Sequence, residues 1–219
     1  MAKIITVRRS VFSANERVAA ENRTLLDRNG VRLVNVMGAP GSGKTTLILA
    51  TAPLLAPLRC GVIEGDVAGD LDARAAEAAG LPAVQVNTGG SCHLRADMVA
   101  EALRAMPLAE LDLLFVENVG NLVCPAGVSL GEHANVVLSS TPEGDDKPEK
   151  YPAVFRTADA VIVTKAELAE LAGFSLAAFE ARLRRLNALA PLFVVSARTG
   201  AGMAGWAAWL RERAGGGLT

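Results

Sequence analysis

Aromatic side chains are few in this chain of 219 residues, only 4%, with a single Tyr, so its core must be built from Ala, Val and Leu. Neither sign of charge is in excess. Lys and Arg number 22 against 23 Asp and Glu, a net charge of −1, which removes any global electrostatic reason to bind nucleic acid or an anionic membrane. Cysteine is scarce. Three thiols, an odd number without framework spacing, exclude a disulfide scaffold and fit a reducing compartment. Long apolar runs are missing too. The longest, residues 47–58, falls short of the ~20 residues a membrane span needs and is broken by Thr51, Pro53 and Pro57. Residues 1–9 carry no apolar signal core, so a cytoplasmic protein is expected. What is there is a chain that is 51% apolar and long enough to bury a core without crosslinks. That composition suits one α/β domain of Ala-rich helices around Val/Leu strands.

Hydrophobic periodicity divides the chain. Val18, Leu25 and Leu26, interleaved with charges, predict an amphipathic helix over 14–28, ended by Asn29-Gly30. Residues 1–30 thus read as an N-terminal helical extension, 31–214 as the main domain and 215–219 as a flexible glycine tail. Strands are expected at 31–37, 61–66, 83–87, 113–118, 136–140, 160–164 and 192–196. Helices are expected at 44–58, 70–79, 94–106, 166–189 (interrupted near Gly173) and 202–213. Residues 141–152, polar and carrying Pro142, Gly144 and Pro148, read as a surface loop. Strands alternating with helices predict a three-layer α/β fold, a mostly parallel sheet covered on both faces. The Trp206 and Trp209 pair is expected to dock a helix onto that sheet, and His133 to lie in a loop.

The sharpest motif is Gly38-Ala39-Pro40-Gly41-Ser42-Gly43-Lys44-Thr45, followed by Thr46. It is a full G-x-x-x-x-G-K-[ST] match placed after a strand and at the start of a helix, the context a P-loop requires. Glycines let successive backbone N–H groups face phosphate oxygens, and the helix N-terminus adds its positive end. Lys44 supplies a cation for the β- and γ-phosphates and Thr45 a hydroxyl for Mg²⁺. Two later strand ends bear on the base. Thr164-Lys165-Ala166-Glu167 stands where GTPases carry Asn-Lys-x-Asp, and Ser196-Ala197-Arg198 is similar to the second guanine-contacting segment. Thr replaces the Asn, and Glu167 keeps the carboxylate on a longer stem. Together the two segments favour GTP over ATP.

Asp66, ending the second strand, is the candidate switch carboxylate for Mg²⁺ or the attacking water. Glu117 ends a strand of Walker B shape, with Gly120 three residues on to bring a backbone N–H toward the γ-phosphate. The alternatives are a helix N-cap for Asp66 and a backbone-satisfied carboxylate for Glu117. Cys92-His93 follows Gly89-Gly90-Ser91, and Cys124 lies just beyond Gly120. Two thiols and an imidazole suit Ni²⁺ or Zn²⁺, with a fourth position left for water or a partner. A nearby helix N-terminus is expected to favour the Cys92 thiolate. Cys60 reads as a small buried hydrophobe.

In combination these motifs resemble the hydrogenase nickel-incorporation GTPases, the HypB family, among the P-loop metallochaperone GTPases. The resemblance runs from about Glu16 to Leu210. It rests on Glu21-Asn22-Arg23, the phosphate loop, Glu64-Gly65-Asp66 with Asp70-Leu71-Asp72, Gly90-Ser91-Cys92-His93-Leu94, the 117–125 segment, and Glu143-Gly144-Asp145-Asp146-Lys147-Pro148 leading to Lys150-Tyr151-Pro152. It implies GTP-dependent nickel delivery during nickel–iron hydrogenase maturation, nucleotide- or metal-dependent homodimers, and other hydrogenase-maturation proteins as partners. It also implies Cys92, His93 and Cys124 as metal ligands. No Cys-x-x-Cys-Gly-Cys or His-rich stretch precedes the first strand, so the resemblance does not extend to a second metal site. Two other readings remain: a sister metallochaperone GTPase for urease or a cobalamin enzyme, and a P-loop small-molecule kinase with core cysteines. A kinase needs a lid, often with arginines, and residues 141–152 contain none.

Overall fold

The computed structural model describes residues 7–67 and 69–215, with side chains from Ser13 onward. Helix α1 (Val7–Asn29) leads into β1 (Arg32–Gly38), α2 (Lys44–Thr51), β2 (Cys60–Asp66), α3 (Leu71–Ala78), β3 (Ala83–Asn87), α4 (Ala96–Ala105) and β4 (Leu113–Glu117). The second half runs β5 (Ala134–Ser140), α5 (Lys147–Lys150), α6 (Pro152–Arg156), β6 (Ala160–Thr164), α7 (Leu176–Leu186), β7 (Leu192–Val194) and α8 (Met203–Gly215).

The seven strands form one sheet in the order β3-β2-β4-β1-β5-β6-β7, every pair parallel. Alternate residues of β1 feed opposite faces, as the two-residue strand period requires. Val34 and Val36 join the core under α2 and α8, while Leu33 packs under α1 and α4. A third cluster, Val137, Val161 and Val163 with Phe155, Phe179 and Leu183, lies under α6 and α7. The expected three-layer α/β fold is therefore present. Among the described residues no helix is long and apolar enough to cross a membrane.

Three expectations need correction. Helix α1 is longer than 14–28 and is no appendage: Leu26 is fully buried in the core, and Asn22 Nδ2 donates to the carbonyls of Ala96 and Leu130. The expected 44–58 helix stops at Thr51 and continues as a 3₁₀ turn, because Pro53 has no N–H to extend the α ladder. Residues 141–152 are folded, with Ser140 and Glu143 forming a reciprocal cap: the Glu143 backbone N–H donates to the Ser140 side chain, and Ser140 N donates to Glu143 Oε2 at 2.8 Å. The break near Gly173 is real; Gly173 is left-handed and Ser175 Oγ caps α7 by accepting the Ala178 amide. Of the expected glycine tail, Gly215 ends α8 and residues 216–219 lie outside the described residues, as do residues 1–6 of the N-terminal segment.

Candidate functional site

Strand β1 sits at the centre of the sheet, with β4 on one side and β5 on the other. The chain reverses its direction of winding there, and the loops leaving the C-terminal strand ends open a crevice, the place where open parallel sheets bind ligands. A cavity of about 530 Å³ occupies it, lined by Gly41, Gly43, Lys44, Thr45, Thr46, Asp66, Glu117, Gly120 and Lys165 among others.

The phosphate loop spans the end of β1 and the first turn of α2. Gly41 (φ 73°) and Gly43 (φ 90°) take the left-handed conformation that turns the loop amides inward. A Cβ on Gly120 would lie 2.9 Å from the Pro40 ring, so the expected switch glycine presses directly against the loop. Strand β6 braces the loop from the other side. Thr164 Oγ1 donates to the Ser42 carbonyl at 2.6 Å, and Lys165 Nζ donates to the Gly41 carbonyl at 2.7 Å. Lys165 itself sits at φ 56°, a left-handed backbone that costs a non-glycine residue about 1 kcal/mol. Ser42 is buried beneath the loop, and Gly38, packed against it, has no space for a side chain.

Glu117 lies where the second reading of it, a carboxylate satisfied by backbone, does not apply. Its Oε1 accepts the Thr45 hydroxyl at 3.0 Å and stands 3.7 Å from Lys44 Nζ. A residue the motif reading passed over joins it. Parallel register sets Glu64 of β2 directly beside Glu117 of β4. Burial, then the neighbouring Glu117, push the Glu64 carboxyl up to about 9, so it keeps its proton and donates it to Glu117. Glu64 Oε1 and Glu117 Oε2 are buried without hydrogen-bond partners, and Asp72 lines the same cavity. Buried oxygens left unpaired beside a threonine hydroxyl are the hard donors a Mg²⁺ ion takes, so the residues fit that ion. Asp66 also faces the cavity, but its two oxygens accept the amides of Val67 and Gly69, so its carboxylate is engaged in its own turn.

The base-reading segments meet beside this cavity, and of their residues Lys165 is the one that lines it. Glu167 is exposed, hydrogen-bonded to Ser196 and near Arg198, and Ser196 first, then its own backbone amide, hold its carboxyl below the usual range. Ala197 faces a separate groove with Ala50 and Met203.

Cys92, His93 and Cys124 converge. One ligand atom from each lies within 4.8 Å of the others, and Cys92 Sγ is 3.6 Å from His93 Nδ1. The left-handed Gly89 and Gly90 free the turn that lets adjacent side chains point the same way, and Thr88 Oγ1 closes it by donating to the Ser91 carbonyl. The expected thiolate-favouring helix end is not what Cys92 experiences. Helix α4 starts only at Ala96, and a hydrogen bond to Cys124 pushes the Cys92 thiol up. Burial, then the charge of Arg95, lower His93, which keeps the imidazole neutral and able to ligate. Cys60 is buried at the start of β2, as expected.

Residues 32–194 match the family described as CobW/HypB/UreG, nucleotide-binding domain. The hydrogenase maturation factor HypB of Azotobacter vinelandii is 43% identical over 215 residues, covering 98% of this chain and 71% of that protein. The hydrogenase/urease maturation factor HypB of Helicobacter hepaticus is 44% identical, over 89% of this chain and 81% of its own length. This chain belongs to the HypB family. The crystal structure of HypB from Helicobacter pylori in complex with nickel superposes on it with a TM-score of 0.89 at 37% identity, over 92% and 95% of the two chains.

As a HypB-family protein the chain is a P-loop nucleotide-binding protein. Beyond the residues expected, its structure brings in Glu64, Asp72, Asn118 and Asn121. Asn118, fully buried, accepts the amides of both Leu94 and Val119 on one oxygen and donates to Asn35 Oδ1. No local pattern displays these roles, because that of Glu64 depends on which strands are neighbours and those of the asparagines on which loops meet.

Proposed function

We propose that this chain is a GTP-hydrolysing metallochaperone that carries nickel to a nickel–iron hydrogenase during its maturation. The observation that carries the reading is the path of residues 117–124. That segment begins at Glu117, in contact with Thr45 and Lys44, passes Gly120 against the phosphate loop, and ends at Cys124 in the thiol–imidazole cluster. The phosphate site and the cargo site are the two ends of one short stretch of chain.

On this reading Lys44 and Lys165 bring positive charge to the phosphates, and the loop amides from Gly41 to Thr45 orient them. Mg²⁺, when bound by Thr45 and Glu117 with Glu64 or Asp66 nearby, supplies Lewis-acid charge at the β- and γ-oxygens. Glu167, with Lys165, Ser196, Ala197 and Arg198, selects guanine. No arginine lines the cavity among the described residues, so intrinsic turnover is slow. The cargo is held by Cys92, His93 and Cys124, a donor set that also takes Zn²⁺. Three ligands leave a fourth position, and exposed Val67, Leu71 and Val123 near both sites offer the apolar surface for a nucleotide- or metal-dependent homodimer. Other hydrogenase-maturation proteins are its partners in that delivery.

The experiment is a phosphate-release assay with competing nucleotides. GTP is hydrolysed slowly, equimolar ATP does not slow it, and Lys44→Ala removes most turnover, on the order of 100-fold. Equal competition by ATP, or wild-type turnover in Lys44→Ala, contradicts the reading.

A further inference from the structure

Asn121 stands where three parts of the molecule meet. Its backbone forms an isolated antiparallel bridge with Gly38, the first glycine of the phosphate loop. Its Oδ1 accepts the amides of Val123 at 2.7 Å and Cys124 at 3.3 Å, which folds the turn that presents the Cys124 thiol. Its Nδ2 donates to the Cys92 carbonyl at 3.3 Å, reaching across to the other half of the thiol–imidazole cluster. Cys92 and His93 leave β3, Cys124 leaves β4, and the sheet ladder that registers those strands ends before either loop begins. Some other contact must set the spacing of the ligand atoms.

We propose that Asn121 is a positioning residue of the metal site: its carboxamide holds the Cys92–His93 loop and the Cys124 turn in register with each other, while its backbone bridge to Gly38 ties both to the phosphate loop. This rests on the reading that Cys92, His93 and Cys124 bind the metal. The chemistry calls for a carboxamide because the position needs an acceptor for two amides and a donor for one carbonyl in the same small group. Asn121 touches no metal itself. It acts as outer-shell partners do, by sparing the ligands the entropy of finding one another, and loss of such a partner lowers metal affinity by roughly 10–100-fold. The residue is half-exposed, so replacing it opens no core cavity.

The test is a nickel chloride titration of the full chain, followed by near-ultraviolet thiolate-to-nickel charge-transfer absorption. Wild type is compared with Asn121→Ala, Asn121→Ser and a Cys92→Ala/Cys124→Ala double variant. The double variant loses the absorption. Asn121→Ala binds nickel roughly 10–100-fold more weakly and gives less charge transfer at saturation, because one thiolate is no longer in place. Asn121→Ser, whose hydroxyl can still accept a turn amide but cannot reach the Cys92 carbonyl, falls between. Should the alanine variant not fold, the serine variant decides, with weaker binding supporting the proposal and wild-type binding overturning it. Asparagine variants that bind like wild type while the cysteine variant does not overturn the role of Asn121 and leave the metal site standing. A cysteine variant that binds like wild type overturns the metal-site reading, and the positioning role with it.

Discussion

His133 was expected to be a loop residue, and it is one, but its ring joins three elements. Its Nδ1 accepts the Leu33 amide at 3.0 Å, which places the ring proton on Nε2, and Nε2 faces Asp27 Oδ1 at 2.9 Å. A second proton on Nδ1 would set two donors against each other. Burial first, then Arg23 and Arg32, lower the His133 value, outweighing the pull of Asp27. The unfolded chain therefore takes up a proton near the ordinary imidazole value of about 6.5 while the folded chain does not, so stability falls as pH drops through that value. Wild type is expected to lose melting temperature between about pH 7 and 5, and His133→Asn to lose less. The Asp27 carboxyl, lowered chiefly by its hydrogen bond to His133, adds its own loss only in more acid solution. Parallel melting curves for the two proteins over this range would show that His133 does not titrate against the fold. At this scale the phosphate loop and Cys92-His93 were legible as contiguous motifs, and Cys124 by its place just beyond Gly120. Glu64 was missed because its importance comes from cross-strand register with Glu117, which no local pattern displays.

Elements were legible where periodicity was strong and blurred where a cap or a proline decided the boundary. Strand β6 was found to the residue, whereas the S-x-x-E cap at Ser140 and Glu143 was overlooked and turned an expected loop into a folded connection. The docking of α8 was anticipated from its tryptophans. Trp206 is buried, stacks on Trp209 with centroids 5.3 Å apart, and donates its indole N–H to Thr51 Oγ1 of α2 at 3.0 Å. That bond ties the last helix to the helix that begins at the phosphate loop. Trp206→Ala is expected to destabilise the domain by about 3–5 kcal/mol, read as a lower midpoint in urea unfolding. A loss under about 1 kcal/mol would mean that α8 is only loosely attached. The fate of α1 was the hardest to read. Its apolar stripe predicted a helix, but that Asn15 and Asn22 would clamp it onto the start of α4, next to the Cys92-His93 loop, depends on contacts far apart in sequence.

In the whole molecule, the strand order puts every chemical motif at one end of the sheet. Class and layering followed from alternating strands and helices, but the order β3-β2-β4-β1-β5-β6-β7 did not, since periodicity says nothing of which strands are neighbours. That order sets β4 beside β1, so the segment after Glu117 runs past the phosphate loop on its way to Cys124. The central claim follows from this path. A phosphate that draws Gly120 toward itself pulls on the Asn121 contacts that set Cys124 against Cys92 and His93, so nickel affinity is expected to depend on the nucleotide and nucleotide affinity on nickel by the same factor. The most direct measurement is nickel titration of the chain loaded with GDP or with a non-hydrolysable GTP analogue, repeated on Cys124→Ala. The account predicts affinities that differ between the two wild-type states by roughly five- to 150-fold, and a Cys124→Ala protein in which the difference is lost. Equal nickel affinities in both nucleotide states, or a Cys124→Ala protein that keeps the wild-type difference, would contradict it.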